Sequence, residues 1–561
     1  MSPFFSPPVS EDYSDIIVRR QYLPIDPDHI FPEQTVNAQY SILYAPLSEN
    51  LSTVPQIGYS GVPKLFTFQN TSSLESSGIL AVQTQPYLSL SGEDILVGFL
   101  DSGIDYTHTA FRNPDGTTRI LGIWDQTDQS GTPPPGFLYG SSYTGEQINA
   151  ALFSSTPGAI VPEADEEGHG TAVAGIACGS PDPESDFTGA APRSSLLFVR
   201  LKPAKAYLRD YFLIPDDAIA YQENDLMLGI RYLMQTARSL QRPLVICIAL
   251  GSNQGGHTGN TPLEEVLTAA QAVNGTYAAT GTGNEVGASH HYSGRLSSAD
   301  DSIDIELLIN HETPGVPLEF WSDSLSLYNI GFLSPLGESI LPVYHGPITS
   351  RTFHFLLENT KIEVYYTALE MLTGHQMALI RMLDPSPGVW RLRITSQGIP
   401  NGNFHLWLPV SGLVSPDITF TSPDPDTTLV IPSCAELLLS AGSYNAYNGS
   451  LLRASGRGYP RSGVVKPDFA APGVSLTAPS PDNTYRNFTG SSAASALTAG
   501  STALLAEWGR QRYKTRYLSS RELKNLFLRS ASQNPSYSYP NREWGYGTMN
   551  LSRIFDTFGR P

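Results

Sequence analysis

The chain has 561 residues, which at roughly 150 residues per domain makes three to four structural units. With 40% hydrophobic and 10% aromatic residues it is globular, not disordered. Asp and Glu number 53 against 34 Lys and Arg, a net charge of −19; such a surface repels nucleic acid and anionic lipid, so neither is expected as a partner.

Met1 to Pro8 carry no basic region and no apolar core, so a Sec signal peptide is not expected and synthesis in the cytoplasm is. No run reaches the roughly 18 apolar residues of a spanning helix. Strand-like pieces fall at Ile16–Val18, Tyr40–Tyr44 and Lys64–Phe68, with Pro and Ser between them. Residues 1–85 therefore read as a small α+β unit that carries no chemistry.

At Asp94–Leu100 the composition changes. This apolar run ends at Asp101-Ser102-Gly103 and has the look of a buried parallel strand. Leu196–Val199 and Leu244–Leu250 repeat the pattern, with helical stretches such as Asp225–Leu233 between them. Alternating strands and helices predict an α/β core with a parallel sheet over 86–295, resumed over 426–561, where Ala494–Trp508 and Ser520–Ser530 are helical. Between them, over 296–425, strand-like runs recur at short spacing: Ile303–Ile309, Thr352–Leu357, Lys361–Tyr366, Gln376–Met382, Val389–Ile394 and Phe404–Leu408. This predicts an all-β sandwich or jelly roll inserted into the core.

Three segments carry chemistry. Asp101 closes a buried strand, where α/β sheets place their sites. His169 lies in Glu167-Gly168-His169-Gly170-Thr171-Ala172-Val173-Ala174-Gly175, where glycines clear space around an imidazole and small residues let a helix pack close to a sheet. Ser492 lies in Thr489-Gly490-Ser491-Ser492-Ala493-Ala494 at the start of an Ala-rich helix, whose dipole favours developing oxyanion charge.

In this order the three motifs resemble the signatures of the subtilisin-like serine proteases, peptidase family S8, and so does the ending Trp544-Gly545-Tyr546-Gly547. The resemblance implies a serine endopeptidase with Asp101, His169 and Ser492 as its triad: Ser492 as nucleophile, His169 as general base then acid, Asp101 fixing the imidazole tautomer. Ser491 stands where Thr is usual and Ala496 where Pro is usual; neither change removes a catalytic atom. Thr280-Gly281-Thr282-Gly283-Asn284-Glu285 resembles the family's Ala-Gly-Asn segment, which implies Asn284 as the oxyanion donor beside the Ser492 backbone N–H. Ala249-Leu250-Gly251 resembles the strand that pairs with substrate backbone.

Ile123–Thr127, Arg200–Arg209, Glu223–Met227 and Ala249–His257 are also similar to the Csp germination proteases of spore-forming clostridia, whose layout is a prodomain, a subtilase core and an inserted jelly roll. That similarity implies association with spores and, as partner, a protein substrate such as the zymogen of a spore-cortex-lytic hydrolase. It also admits the alternatives of a regulatory pseudoprotease and of a subtilase with no role in spores. It further implies a self-processed prodomain, 1–85, that stays bound as an inhibitor. Gly78–Gln85 is the expected stretch in the groove beside Ala249–Gly251, with the cut at Val82 to Thr84.

No cofactor or metal is expected. His290-His291 lacks a third ligand at useful spacing, and HExxH is absent. The acidic run Glu163, Asp165, Glu166 and Glu167 reads as a solvated loop, with an acidic wall or a calcium ligand as alternatives. Cys178, Cys247 and Cys434 are too few and too widely spaced for a disulfide scaffold and read as small buried thiols.

Overall fold

The computed structural model describes residues 6–23, 31–69, 90–299, 301–323, 326–342, 348–396, 398, 402–514 and 516–558. Its centre is an eight-stranded sheet in the order Phe469–Pro472, Leu439–Tyr444, Thr276–Gly281, Leu244–Ile248, Leu96–Asp101, Ser195–Arg200, Ile120–Asp125, Ser141–Thr144. Every neighbour pair is parallel except the last. Side-chain alternation sorts the central strands into two cores. Val97, Phe99, Val245 and Cys247 face the helices His169–Cys178 and Ser491–Arg512. Leu96, Leu100, Leu244, Ile246 and Ile248 face Glu223–Leu240 and Pro262–Gln271. Burial on both faces explains the unbroken apolar runs in the sequence.

The first unit contains a three-stranded antiparallel sheet, Tyr13–Arg19, Tyr40–Pro46 and Glu33–Thr35. It is fastened to the core by polar contacts. Lys205 Nζ meets Asp15 at 2.6 Å with both side chains buried, and Arg19 and Tyr40 converge on Glu265. A further strand, Leu65–Phe68, leaves this unit and lies between Leu250–Gly251 and Tyr221–Gln222, antiparallel to both.

Between 291 and 420 the chain forms two antiparallel sheets around one core. The six-stranded sheet runs His291–Gly294, Phe404–Trp407, Gly315–Ser322, Met377–Leu383, Lys361–Thr367, Ile348–His354; the five-stranded sheet runs Ser339–Ile340, Tyr328–Leu333, Gly388–Ser396, Ser302–Ile309, Ile418–Phe420. The strand expected at Thr352–Leu357 is Ile348–His354, displaced toward the N-terminus. Gly315–Ser322 and Tyr328–Leu333 are strands beyond those the sequence predicts. Gly315–Ser322 is buried on both faces, so no alternation marks it. Glu319 ties this region to the other two, accepting from Tyr59 Oη at 2.7 Å and from the Gly255 N–H at 3.0 Å. Among the described residues no helix is long and apolar enough to cross a membrane.

Candidate active site

Asp101 ends its strand, His169 opens the helix His169–Cys178, Ser492 lies in the first turn of Ser491–Arg512, and Asn284 follows the strand Thr276–Gly281. All four stand at the carboxyl edge of the parallel sheet, where the strand ends leave a crevice. Local sequence permits the crowding. A Cβ built on Gly170 would lie 2.2 Å from the Gly103 carbonyl oxygen and 3.1 Å from Asp101 Cβ, so only glycine lets the His169 turn approach the Asp101 strand. Gly490 enters the serine helix at φ 135°, a conformation that side chains rarely adopt.

His169 Nδ1 meets Asp101 Oδ1 at 2.7 Å, and His169 Nε2 meets Ser492 Oγ at 3.0 Å. All three residues are buried. With the Nδ1 proton directed to the carboxylate, Nε2 is free to accept from the hydroxyl. The Ser102 N–H donates to the same Asp101 oxygen at 2.8 Å, and the Ser102 hydroxyl donates to Asp165 at 2.7 Å. Asp165 also accepts from the Gly168 and Thr171 N–H groups, at the start of the histidine helix. Burial pushes its carboxyl up, against hydrogen bonds from Thr171 and Ser102. The solvated acidic loop is therefore corrected at two positions. Glu163 and Asp165 are buried, and Glu163 accepts from the Ile104 N–H at 2.9 Å, whereas Glu166 and Glu167 are exposed.

The groove holds part of this same chain. Phe68 pairs with Leu250 and Thr67 with Gly251. The Phe68 ring stacks on the His169 imidazole, centroids 4.2 Å apart and planes 23° apart. The Gln69 carbonyl oxygen lies 3.2 Å from the Ser492 backbone nitrogen, which donates to it, and 3.0 Å from Ser492 Oγ. Asn284 Nδ2 is buried without a partner among the described residues, while its Oδ1 accepts from the Ser491 N–H. Ala249 does not pair with the strand; its carbonyl lies 3.0 Å from Ser492 Oγ.

The strand beside Leu250–Gly251 is Leu65–Phe68; Gly78–Gln85, expected there with the cut at Val82 to Thr84, lies outside the described residues. Leu65–Phe68 is strand-like in sequence, and nothing in it signals this role. Ser491 also has one that was missed: its hydroxyl donates to Gln69 Oε1 at 2.8 Å and accepts from the Gly283 N–H at 3.1 Å. Ser495 lies deeper, donating to the Ile248 carbonyl.

The histidine pair is divided. His290 Nδ1 meets Glu285 at 2.8 Å, and His291 lies 3.0 Å from His405 and stacks on Trp407. Among the described residues no three His, Cys, Asp or Glu side chains group as a metal site.

The family model described as the subtilase family matches residues 92–299 and 401–547, well over half of the chain. Among solved structures, the CspB protease of Clostridium perfringens is 32% identical, with a TM-score of 0.76 over 86% of this chain and 97% of that one. The subtilisin-like protease SBT2.4 of Arabidopsis thaliana is 32% identical over 148 residues, which make 23% of this chain and only 18% of that protein.

Proposed function

From the premise that the chain belongs to the subtilase family of serine proteases, we propose that it is a serine endopeptidase that cuts its own chain between Gln69 and Asn70. The observation that carries this reading is the Gln69 carbonyl set against both Ser492 Oγ and the Ser492 N–H, with His169 and Asp101 in line behind the hydroxyl. Ser492 Oγ attacks the Gln69 carbonyl carbon while its proton passes to His169 Nε2. The Ser492 N–H and Asn284 Nδ2 receive the oxyanion. His169 then returns the proton to the departing Asn70 nitrogen, and water releases Gln69 from the serine.

The first unit, ending at Gln69, is in this reading the prodomain. The pairing of Leu65–Phe68 with Leu250–Gly251 on one side and Tyr221–Gln222 on the other supports its retention as a bound inhibitor, since these backbone contacts do not depend on the peptide bond after Gln69. The two-sheet region is the inserted jelly-roll-like domain. The similarity to Csp proteases supports a second protein substrate, the zymogen of a spore-cortex-lytic hydrolase, and with it a place in germination. A fluorophosphonate probe tests the chemistry. It should label Ser492, on the fragment that begins at Asn70 once the first unit is displaced, and fail on Ser492→Ala; labelling that persists in that variant would move the nucleophile elsewhere.

A further inference from the structure

Beside the seated strand lies a cavity of about 900 Å³ that the triad does not use. Thr67 and Phe68 form one wall. The core supplies a second through 213–219 and 287–290, and the inserted domain a third through 311–315 and 411–419. The Thr67 side chain faces the inserted domain: a Cβ built on Gly412 would lie 3.6 Å from Thr67 Cγ2. With Gln69 at the nucleophile, Thr67 is the third residue before the scissile bond. Threonine is far smaller than the space beyond it.

The cavity's charge is one-sided. Asp217 and Glu312 line it, no Lys or Arg does, and neither carboxylate has an ion pair among the described residues. The two histidines on the lining are tied locally, His290 to Glu285 and His311 to Ser415. Glu285 in turn accepts from the Ser411 N–H at 3.1 Å, which fixes the inserted domain's 411–412 turn against the loop that carries Asn284. The wall facing Thr67 is therefore held by the same residues that position the oxyanion loop.

We propose that this cavity, built jointly by core and inserted domain, receives the side chain of the third residue before the scissile bond and favours lysine or arginine there. The proposal rests on the register that Gln69 defines at Ser492. A long side chain starting at the Thr67 position would extend into the cavity, its methylenes passing Gly412 and its cationic end reaching Asp217 and Glu312. The inserted domain is then part of the specificity apparatus and supplies one of the two carboxylates.

Self-cleavage provides the assay. Full-length Thr67→Arg, Thr67→Gln and Thr67→Glu are refolded from guanidinium, quenched at intervals and read by intact mass. Folding is timed separately by tryptophan fluorescence in the Ser492→Ala background, so slow folding is not mistaken for slow cutting. Thr67→Arg should cut about two- to fivefold faster than Thr67→Glu, the upper part of the range for exposed ion pairs, with Thr67→Gln between them. Adding Asp217→Asn and Glu312→Gln should remove the spread. Equal rates in the three variants, a reversed order, or a spread that survives the double change would overturn the proposal while leaving self-cleavage intact. Absence of any cut in the wild type would overturn the Gln69 register and the proposal with it.

Discussion

Gly170→Ala is a one-carbon change that should slow the enzyme about a hundredfold without touching a reacting atom. The new Cβ would stand 2.2 Å from the Gly103 carbonyl oxygen, 2.8 Å from the Phe198 ring and 3.1 Å from Asp101 Cβ. Carbon and oxygen make close contact no nearer than about 3.3 Å, so roughly 1 Å must be found between the His169 turn and the Asp101–Gly103 strand end. Neither side yields easily, because His169–Cys178 is buried along its whole length and Leu96–Asp101 is buried on both faces. Overpacking of this kind costs about 1–3 kcal/mol of stability. The larger effect is on the 2.7 Å His169–Asp101 contact, since a displacement of about 1 Å in a reacting constellation costs on the order of 10²-fold in rate. The fluorophosphonate labelling rate should fall by that factor while circular dichroism still reports a folded chain. Gly158→Ala is the control: a Cβ there meets nothing within 4 Å, and the rate should not change. A Gly170→Ala protein that labels at the wild-type rate would refute the claim that close approach of these two backbones sets the triad.

Two further outcomes follow from the same geometry. Asn284→Ala should slow self-cleavage by about 10²–10³, read by intact mass after refolding, with the seated strand still protected from hydrogen exchange; lost protection would make Asn284 a structural residue. The three cysteines are buried, and burial pushes Cys178 up to about 11, Cys247 up to about 12 and Cys434 well above the usual thiol range. At pH 8 the native protein should resist iodoacetamide, and all three should react in guanidinium; rapid native labelling at any of them would contradict the packing around it.

Much of the candidate site was legible because the close contacts that bring it together are written locally. Asp101, His169, Ser492 and Asn284 each sit in a short stretch where glycine or small residues make room for backbone contact, and such crowding leaves a mark in sequence. The helix Ser520–Ser530 was legible for a similar reason: a capping box from Ser519 to Glu522 opens it. What was not legible depends on residues far apart in the chain. Nothing in Leu65–Phe68 says that it will pair with Leu250–Gly251 instead of with its own unit, because a strand's hydrogen bonds carry no sequence code. Gln69 gains its meaning only from Ser492, 423 positions away. Glu163 and Asp165 read as solvent-facing by composition, yet they are held by backbone N–H groups, whose positions are set by the fold.

The most direct test is the intact mass of wild type and Ser492→Ala, expressed and purified side by side. Wild type should give two fragments, one ending at Gln69 and one beginning at Asn70, that elute together under native conditions, and Ser492→Ala should remain a single chain. A wild-type protein that stays whole, or that is cut at another bond such as one between Val82 and Thr84, would contradict the assignment of Gln69 to the nucleophile.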